Sequence, residues 1–270
     1  MEKYECTIGD VTVGAGRLVL IAGPCVAESL ELCLRVGGTM AEICRRLDIA
    51  YVFKASYDKA NRTALENPRG PGVELGLQWL QAVRGKLGVP VLSDVHDVGQ
   101  AARAGAVLDC LQIPAFLCRQ TDLLLAAART GKAVNIKKGQ FVSPERMGFA
   151  VEKIRSTGNA NVLLTERGTC FGYDSLVNDF RAVPIMQAFA PVAFDATHSV
   201  QQPAGAKVTG GQRQFVPVLA AAAMAAGADA LFIETHPEPE QAASDPATQW
   251  PLHQMEELLR RCLDIFRIVH

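Results

Sequence analysis

The chain has 270 residues, of which 49% are hydrophobic and 20% charged, with a formal net charge of −1. Length alone allows one large domain or two small ones, and because nothing in the sequence resembles a linker we read 1–270 as one domain with a substantial core. A near-neutral chain has no global field to hold a nucleic acid, so its cations matter where they cluster, which suits small anionic ligands.

Eight cysteines are scattered without a C-x-x-C pair, a pattern of reduced thiols rather than of a disulfide scaffold. Residues 1–10 lack the basic and apolar regions of a signal peptide, and the longest apolar stretch, 216–233, is interrupted by Pro217, Gly227 and Asp229. No membrane partner and a cytoplasmic location are therefore expected.

In chain order, 5–8 and 11–13 flank Gly9-Asp10 and predict a β-hairpin. Short runs rich in branched residues follow at 18–21, 51–53, 89–92, 110–113, 133–136, 162–164, 192–194 and 230–233. Between them, helical periodicity is clear at 29–47, 73–87, 122–130, 144–156 and 216–226. Eight β-then-α units predict a (β/α)8 TIM barrel, with the hairpin placed to plug one end. The links support this: short glycine-bearing segments precede the strands, whereas long polar segments follow the second (54–72), seventh (195–215) and eighth (234–250). A doubly wound open sheet is the competing architecture, but the turn after the first strand, Ala22-Gly23-Pro24-Cys25, does not fit the dinucleotide-binding pattern.

Polar groups gather at the strands' carboxyl ends. Lys54, Lys59 and Arg62 lie within nine residues after the second strand, a crowding of cations that a phosphate or carboxylate would offset. Lys137 ends the fifth strand and Arg167 the sixth; period-two alternation seats Lys137 inward if Asn135 is inward, leaving Lys138 as the weaker candidate. Asp94 and Gln112, at the third and fourth, are placed to hold sugar hydroxyls. Cys25 follows the first strand, His198 the seventh, and Glu234 and Asp245 the eighth. Barrel closure makes these strands neighbours, and a thiolate, an imidazole and two carboxylates suit a divalent transition metal such as Zn, Fe(II), Mn or Co better than Mg or Ca. Residues 199–213 are glycine-rich and long enough for a lid.

Taken in order, the segments Ile21-Ala22-Gly23-Pro24-Cys25, Lys137-Lys138-Gly139-Gln140-Phe141, Leu164-Thr165-Glu166-Arg167-Gly168 and Phe194-Asp195-Ala196-Thr197-His198 resemble the 3-deoxy-D-manno-octulosonate 8-phosphate synthase family. The resemblance extends over nearly the whole chain. It implies a barrel enzyme, commonly a homotetramer, that condenses phosphoenolpyruvate with arabinose 5-phosphate toward the Kdo sugar of lipopolysaccharide. Cys25 is similar to the family's metal-dependent branch, and implies metal ligation by Cys25, His198, Glu234 and Asp245.

By the same resemblance, Lys54, Lys59, Lys137 and Arg167 would hold phosphoenolpyruvate, assisted by backbone near Ala115. Asn61, Arg62 and Thr63 would grip the pentose phosphate, the last two from this subunit or a neighbour. Ser56, Pro114, Phe116 and Gln201 would complete the lining, and Lys59, Asp94, His198 and Asp245 would take catalytic roles. The nearest rival is 3-deoxy-D-arabino-heptulosonate 7-phosphate synthase, which uses erythrose 4-phosphate and typically has Lys-Pro-Arg-Thr where this chain has Lys59-Ala60-Asn61-Arg62-Thr63. A non-catalytic sugar-phosphate or metal-binding barrel is the alternative of another class.

Overall fold

Apolar strands that alternate their side chains between two faces must bury both, and here the ring closes to do so. In the computed structural model, which describes residues 3–62, 64–173, 175–202 and 210–270, the strands are β3 (Val19–Gly23), β4 (Ala50–Lys54), β5 (Val91–Asp94), β6 (Cys110–Ile113), β7 (Ala133–Lys137), β8 (Val162–Glu166), β11 (Val192–Asp195) and β14 (Ala230–His236). Each pairs in parallel with the next, and β14 returns to β3 in register from Ala230↔Val19 to Glu234↔Gly23. The structure is a (β/α)8 barrel, as the count of units predicts.

The helices α1 (Leu30–Leu47), α2 (Val73–Leu87), α3 (Val98–Val107), α4 (Thr121–Ala128), α5 (Met147–Arg155), α6 (Ala182–Gln187), α7 (Val216–Ala225) and α8 (Met255–Val269) pack their apolar faces on the barrel's outer face. Of these, α3, α6 and α8 go beyond the periodic stretches read from sequence. Caps set the starts of α1 and α3, where the side chains of Ser29 and Asp97 accept from the amides of Leu32 and Gln100. No helix is long and apolar enough to cross a membrane.

Inside the ring, period two produces a core of its own. Val19, Ile21, Val52, Leu92, Cys110, Ala133, Leu163, Ala193, Ala230 and Phe232 meet Cys6, Ile8, Val11 and Val13 of the hairpin β1 (Cys6–Ile8) and β2 (Val11–Val13). The hairpin therefore plugs the barrel, and Gly9 beside Pro90 and Thr7 beside Asn161 place the plug at the strands' amino ends. One step further along the same inward rows the side chains turn polar. Lys54, Asp94, Gln112, Asn135, Lys137, Thr165, Asp195 and Glu234 are all buried. Except for β6, which ends with its run at Ile113, the strands run one to three residues past the apolar runs that announce them, because these charges are paired inside the ring and remain within the sheet. Conversely, the third strand begins at Val91 rather than at residue 89.

Gly23 closes β3 where a Cβ would lie 2.0 Å from the carbonyl oxygen of Lys54; only glycine lets the first and second strands approach so closely at the mouth. Small elements decorate the mouth: β9 (Thr169–Cys170) with β10 (Leu176–Val177), β12 (Gln201–Gln202) with β13 (Gly210–Gly211), and β15 (Trp250–Pro251) beside β14. All eight cysteines are free, and all but Cys170 are buried.

Candidate active site

The carboxyl ends of the strands surround a cavity of about 600 Å3. Its wall includes Lys54, Lys59, Asn61, Arg62, Asp94, Gln112, Pro114, Ala115, Phe116, Lys137, Arg167, His198, Gln201, Glu234 and Asp245, so most of the residues singled out from sequence converge on one mouth, while Cys25 is fully buried and not part of the wall.

One corner of the mouth gathers metal-ligand chemistry. Ligand atoms of Cys25, Glu234 and Asp245 lie within 4.8 Å of one another, and Nε2 of His198 stands 3.6 Å from Oε2 of Glu234 and 3.8 Å from Oδ2 of Asp245. Oε2 of Glu234 is buried without a hydrogen-bond partner. A buried lone pair left unmet among sulfur, imidazole and carboxylate is a site that fits a divalent transition metal. Burial pushes the Cys25 thiol well up, and Glu234 and Asp245 add to this against the opposing pull of Lys59 and Lys54. Such a thiol surrenders its proton when a cation takes the proton's place. The loop bearing Asp245 is held in shape: Asp245 has φ +48°, Gln249 accepts from the Cys25 amide at 3.1 Å and donates to the Ser244 carbonyl at 2.8 Å, and Ser244 Oγ accepts from Cys25 Sγ at 2.9 Å.

The cations adjoin this corner, and the expectation that an outside anion offsets them needs correction. The crowded cations do not depend mainly on an outside anion, because the barrel supplies carboxylates. Lys54 donates to Glu234 and to the Cys25 carbonyl, Lys59 lies 3.8 Å from Glu234, and Lys137 lies 2.5 Å from Asp195. Burial alone would raise Glu234 and Asp94, but the lysines outweigh it and hold both carboxyls far below their ordinary values, ionised. Burial likewise opposes the charge on Lys59, yet Cys25, Glu234, Asp94 and Asp245 more than offset it and keep the ammonium protonated. What remains for a ligand is specific. Arg167 gives Nη2 to Gln201 at 2.7 Å, while its Nη1 is buried with no partner.

Several expectations shift in detail. Ser56 does not line the cavity; its hydroxyl is spent on Asp94. Asp94 is part of a lumen-wide chain in which Gln112 donates to Asp94, Asn135 to Gln112 at 2.9 Å, and Thr165 to Asn135 at 2.7 Å. Lys138 points away from the mouth into the carbonyls of Gly139, Val142 and Gly168. Arg62 reaches this chain's own cavity, donating to Pro68 O at 2.6 Å and Ser244 Oγ at 2.9 Å. Thr63 and the tip of the expected lid, 203–209, lie outside the described residues. Sequence reading gave no role to Asp195, Ser244 and Gln249; His96, in the polar segment 93–96 expected after the third strand, lines the cavity. Alternation from Ala193 would have turned Asp195 inward, whereas Ser244 and Gln249 lie in a loop without any period.

Comparison with known proteins fits this picture. The DAHP synthetase I family matches residues 3–269. The relative from Koribacter versatilis (strain Ellin345), named 2-dehydro-3-deoxyphosphooctonate aldolase, is 54% identical over 262 residues, covering 96% of this chain and 94% of that protein. Proteins of the same name from Cyanothece sp. (strain PCC 7425 / ATCC 29141) and Granulibacter bethesdensis (strain ATCC BAA-1260 / CGDNIH1) are 55% and 56% identical, over 98% and 94% of this chain and 98% and 92% of their own lengths. A match that begins ahead of the hairpin and ends in the last helix takes in both corners of the mouth, and the chain belongs to the DAHP synthetase I family.

Proposed function

We propose that the enzyme condenses phosphoenolpyruvate with D-arabinose 5-phosphate and water, yielding 3-deoxy-D-manno-octulosonate 8-phosphate and inorganic phosphate, a step toward the Kdo sugar of lipopolysaccharide. The observation that carries this reading is the unmet guanidinium face of Arg167 opening onto a cavity that Lys54, Lys59 and Lys137 share. The name carried by the relatives, 2-dehydro-3-deoxyphosphooctonate aldolase, agrees with it.

In this reading Arg167, Lys59 and Lys137 hold the carboxylate and phosphate of the enol acid, a planar fork and two compact charges serving two anionic groups. Fixed there, the enol-ether carbon attacks the aldehyde while water adds to the adjacent carbon, and the tetrahedral adduct expels phosphate. The cations supply positioning and electrostatic stabilisation. Arg62 and Asn61 at the rim hold the pentose phosphate, and Asp94 with Gln112 fixes hydroxyls deeper in the cavity. Cys25, His198, Glu234 and Asp245 would hold Zn, Fe(II), Mn or Co, which when bound supplies Lewis acidity toward an aldehyde or a water. Asp245 or His198 would move a proton at the reacting oxygen. We place the enzyme in the cytoplasm as a homotetramer. Exposed Phe116, Phe141, Phe171 and Tyr173 beside the mouth, up to 98% accessible in the single chain, support a contact between copies.

Phosphate release measured with each aldose phosphate, with and without chelator, tests the reading. Release with arabinose 5-phosphate that chelator abolishes is expected; preference for erythrose 4-phosphate, or tight ligand binding without turnover, would refute it. Arg62→Ala is expected to raise the KM for the pentose phosphate by about 10- to 100-fold, the worth of a hydrogen bond to a charged group, with a smaller change for phosphoenolpyruvate. Equal changes in the two constants would contradict the assignment of the rim.

A further inference from the structure

We propose that Asp195 is a positioning residue that fixes the His198 ring with its proton on Nδ1, so that Nε2 presents a lone pair to the metal corner. Asp195 lies at the end of β11, is fully buried, and belongs to neither ligand set above. Its two oxygens are occupied in different ways. Oδ1 accepts from the Thr197 amide at 3.2 Å, the Thr197 hydroxyl at 3.0 Å and the His198 amide at 2.9 Å. Oδ2 faces Nδ1 of His198 at 2.7 Å and Nζ of Lys137 at 2.5 Å.

Three donors on Oδ1 fix the carboxylate plane, and the fixed plane aims Oδ2 at the imidazole. A carboxylate oxygen is acceptor only, so in the neutral ring the facing nitrogen carries the proton and the other does not. The free nitrogen is Nε2, which lies 3.6 Å and 3.8 Å from Glu234 and Asp245. Thr197 extends the arrangement, since its hydroxyl also accepts from the Glu234 amide at 3.2 Å. One buried carboxylate thus sets the ring of one candidate ligand and, through Thr197, braces the backbone of another.

Lys137 shares Oδ2, stands 3.4 Å from Nδ1 of His198 at a longer reach than the carboxylate's 2.7 Å, and lies 3.9 Å from the centroid of Phe232. Among the described residues Asp195 is its one carboxylate partner within 4.0 Å. The same oxygen therefore serves both corners of the mouth, as counter-charge to a lysine of the anion corner and as orienter of the histidine of the metal corner.

Asp195→Asn inverts the geometry. The three donors require an oxygen at the Oδ1 position, which turns the amide NH2 toward His198 and demands an acceptor at Nδ1. The proton is then driven to Nε2, the nitrogen that faces the metal corner. Because a single substitution leaves Lys137 buried without its partner, the measurement uses Lys137→Met/Asp195→Asn, which conserves net charge at the corner, with Lys137→Met alone as the reference. The first readout is the 15N spectrum of histidine-labelled, metal-free protein. Wild type and Lys137→Met are expected to carry the His198 proton on Nδ1, and the double variant on Nε2.

The second readout is Co2+ titration followed through the thiolate-to-cobalt absorption of Cys25, with far-ultraviolet circular dichroism unchanged. Affinity is expected to fall by about 10- to 100-fold in the double variant, the usual loss when a metal-bound histidine is deprived of its orienting partner, and to stay within a few-fold in Lys137→Met. This arm rests on the metal reading above. Wild-type protein that binds no Co2+ would overturn that reading, whereas wild-type binding with an unimpaired double variant would overturn the role of Asp195 alone. An Nε2–H tautomer in wild type would overturn it as well.

Discussion

Cys25→Ala is expected to lower phosphate release by about 10³-fold or more and to leave the protein without bound transition metal. The sulfur is the one soft donor of its corner, 3.3 Å from Oδ2 of Asp245 and fully buried. Without it, Glu234, Asp245 and His198 retain only oxygen and nitrogen, and Asp245 loses a neighbour that helps to hold its left-handed backbone. Lewis-acid stabilisation is worth several kcal/mol and each 1.36 kcal/mol is a factor of ten in rate, which sets the magnitude. Metal content by atomic emission and phosphate release on the same sample check the two halves together. A metal-free Cys25→Ala enzyme with full activity would end the metal reading.

Lys54→Met is expected to destabilise the fold itself, by about 3–5 kcal/mol, because it strands a carboxylate inside the barrel. Lys54 and Glu234 are each 1% exposed, and after the substitution the remaining cation within 4.0 Å of Glu234 among the described residues is Lys59 at 3.8 Å. At roughly 2–4 °C per kcal/mol for a chain of this size, the thermal midpoint of metal-free protein should fall by about 6 to 20 °C. Lys54→Met/Glu234→Gln should recover much of that loss, since neither charge is then left unmatched. Acid titration of stability supplies a further check. The folded chain holds Glu234 below its ordinary 4.5, so the stability this confers is complete above that value and is lost as the pH falls through the folded group's own titration. A midpoint unmoved by Lys54→Met would show that the ion pair is not the counterweight described.

The barrel was readable because its outer and inner cores both demand apolar residues, and runs such as Val162-Leu163-Leu164 satisfy both at once. Strand ends were less readable, because Lys54 and Asp195 look like loop residues until their partners on other strands are known. The same limit explains Asp195: its pairing with Lys137 joins residues 58 apart in the chain, a distance at which local pattern is silent. Helix α8 repeats Met255, Leu258, Leu259, Cys262, Leu263 and Phe266 at helical spacing, a period the sequence carries although it was not among the stretches named, whereas α6 has only six residues, too few for a period to declare itself. Cys25, His198, Glu234 and Asp245 could be gathered from sequence because ring closure makes the strands that carry or precede them adjacent, a topological inference that needs no contact information. Gln249 and Ser244 escaped because their roles depend on the path of an irregular loop, which no periodicity encodes.

The N-terminal hairpin has a consequence for traffic. By stoppering the barrel with Ile8, Val11 and Val13, it shuts the ring at the strands' amino ends, so among the described residues what enters the cavity at the carboxyl ends has no way through the hairpin. A solute beside Lys137 and Phe232 therefore shares its approach with whatever rests near Asn61 and Arg62.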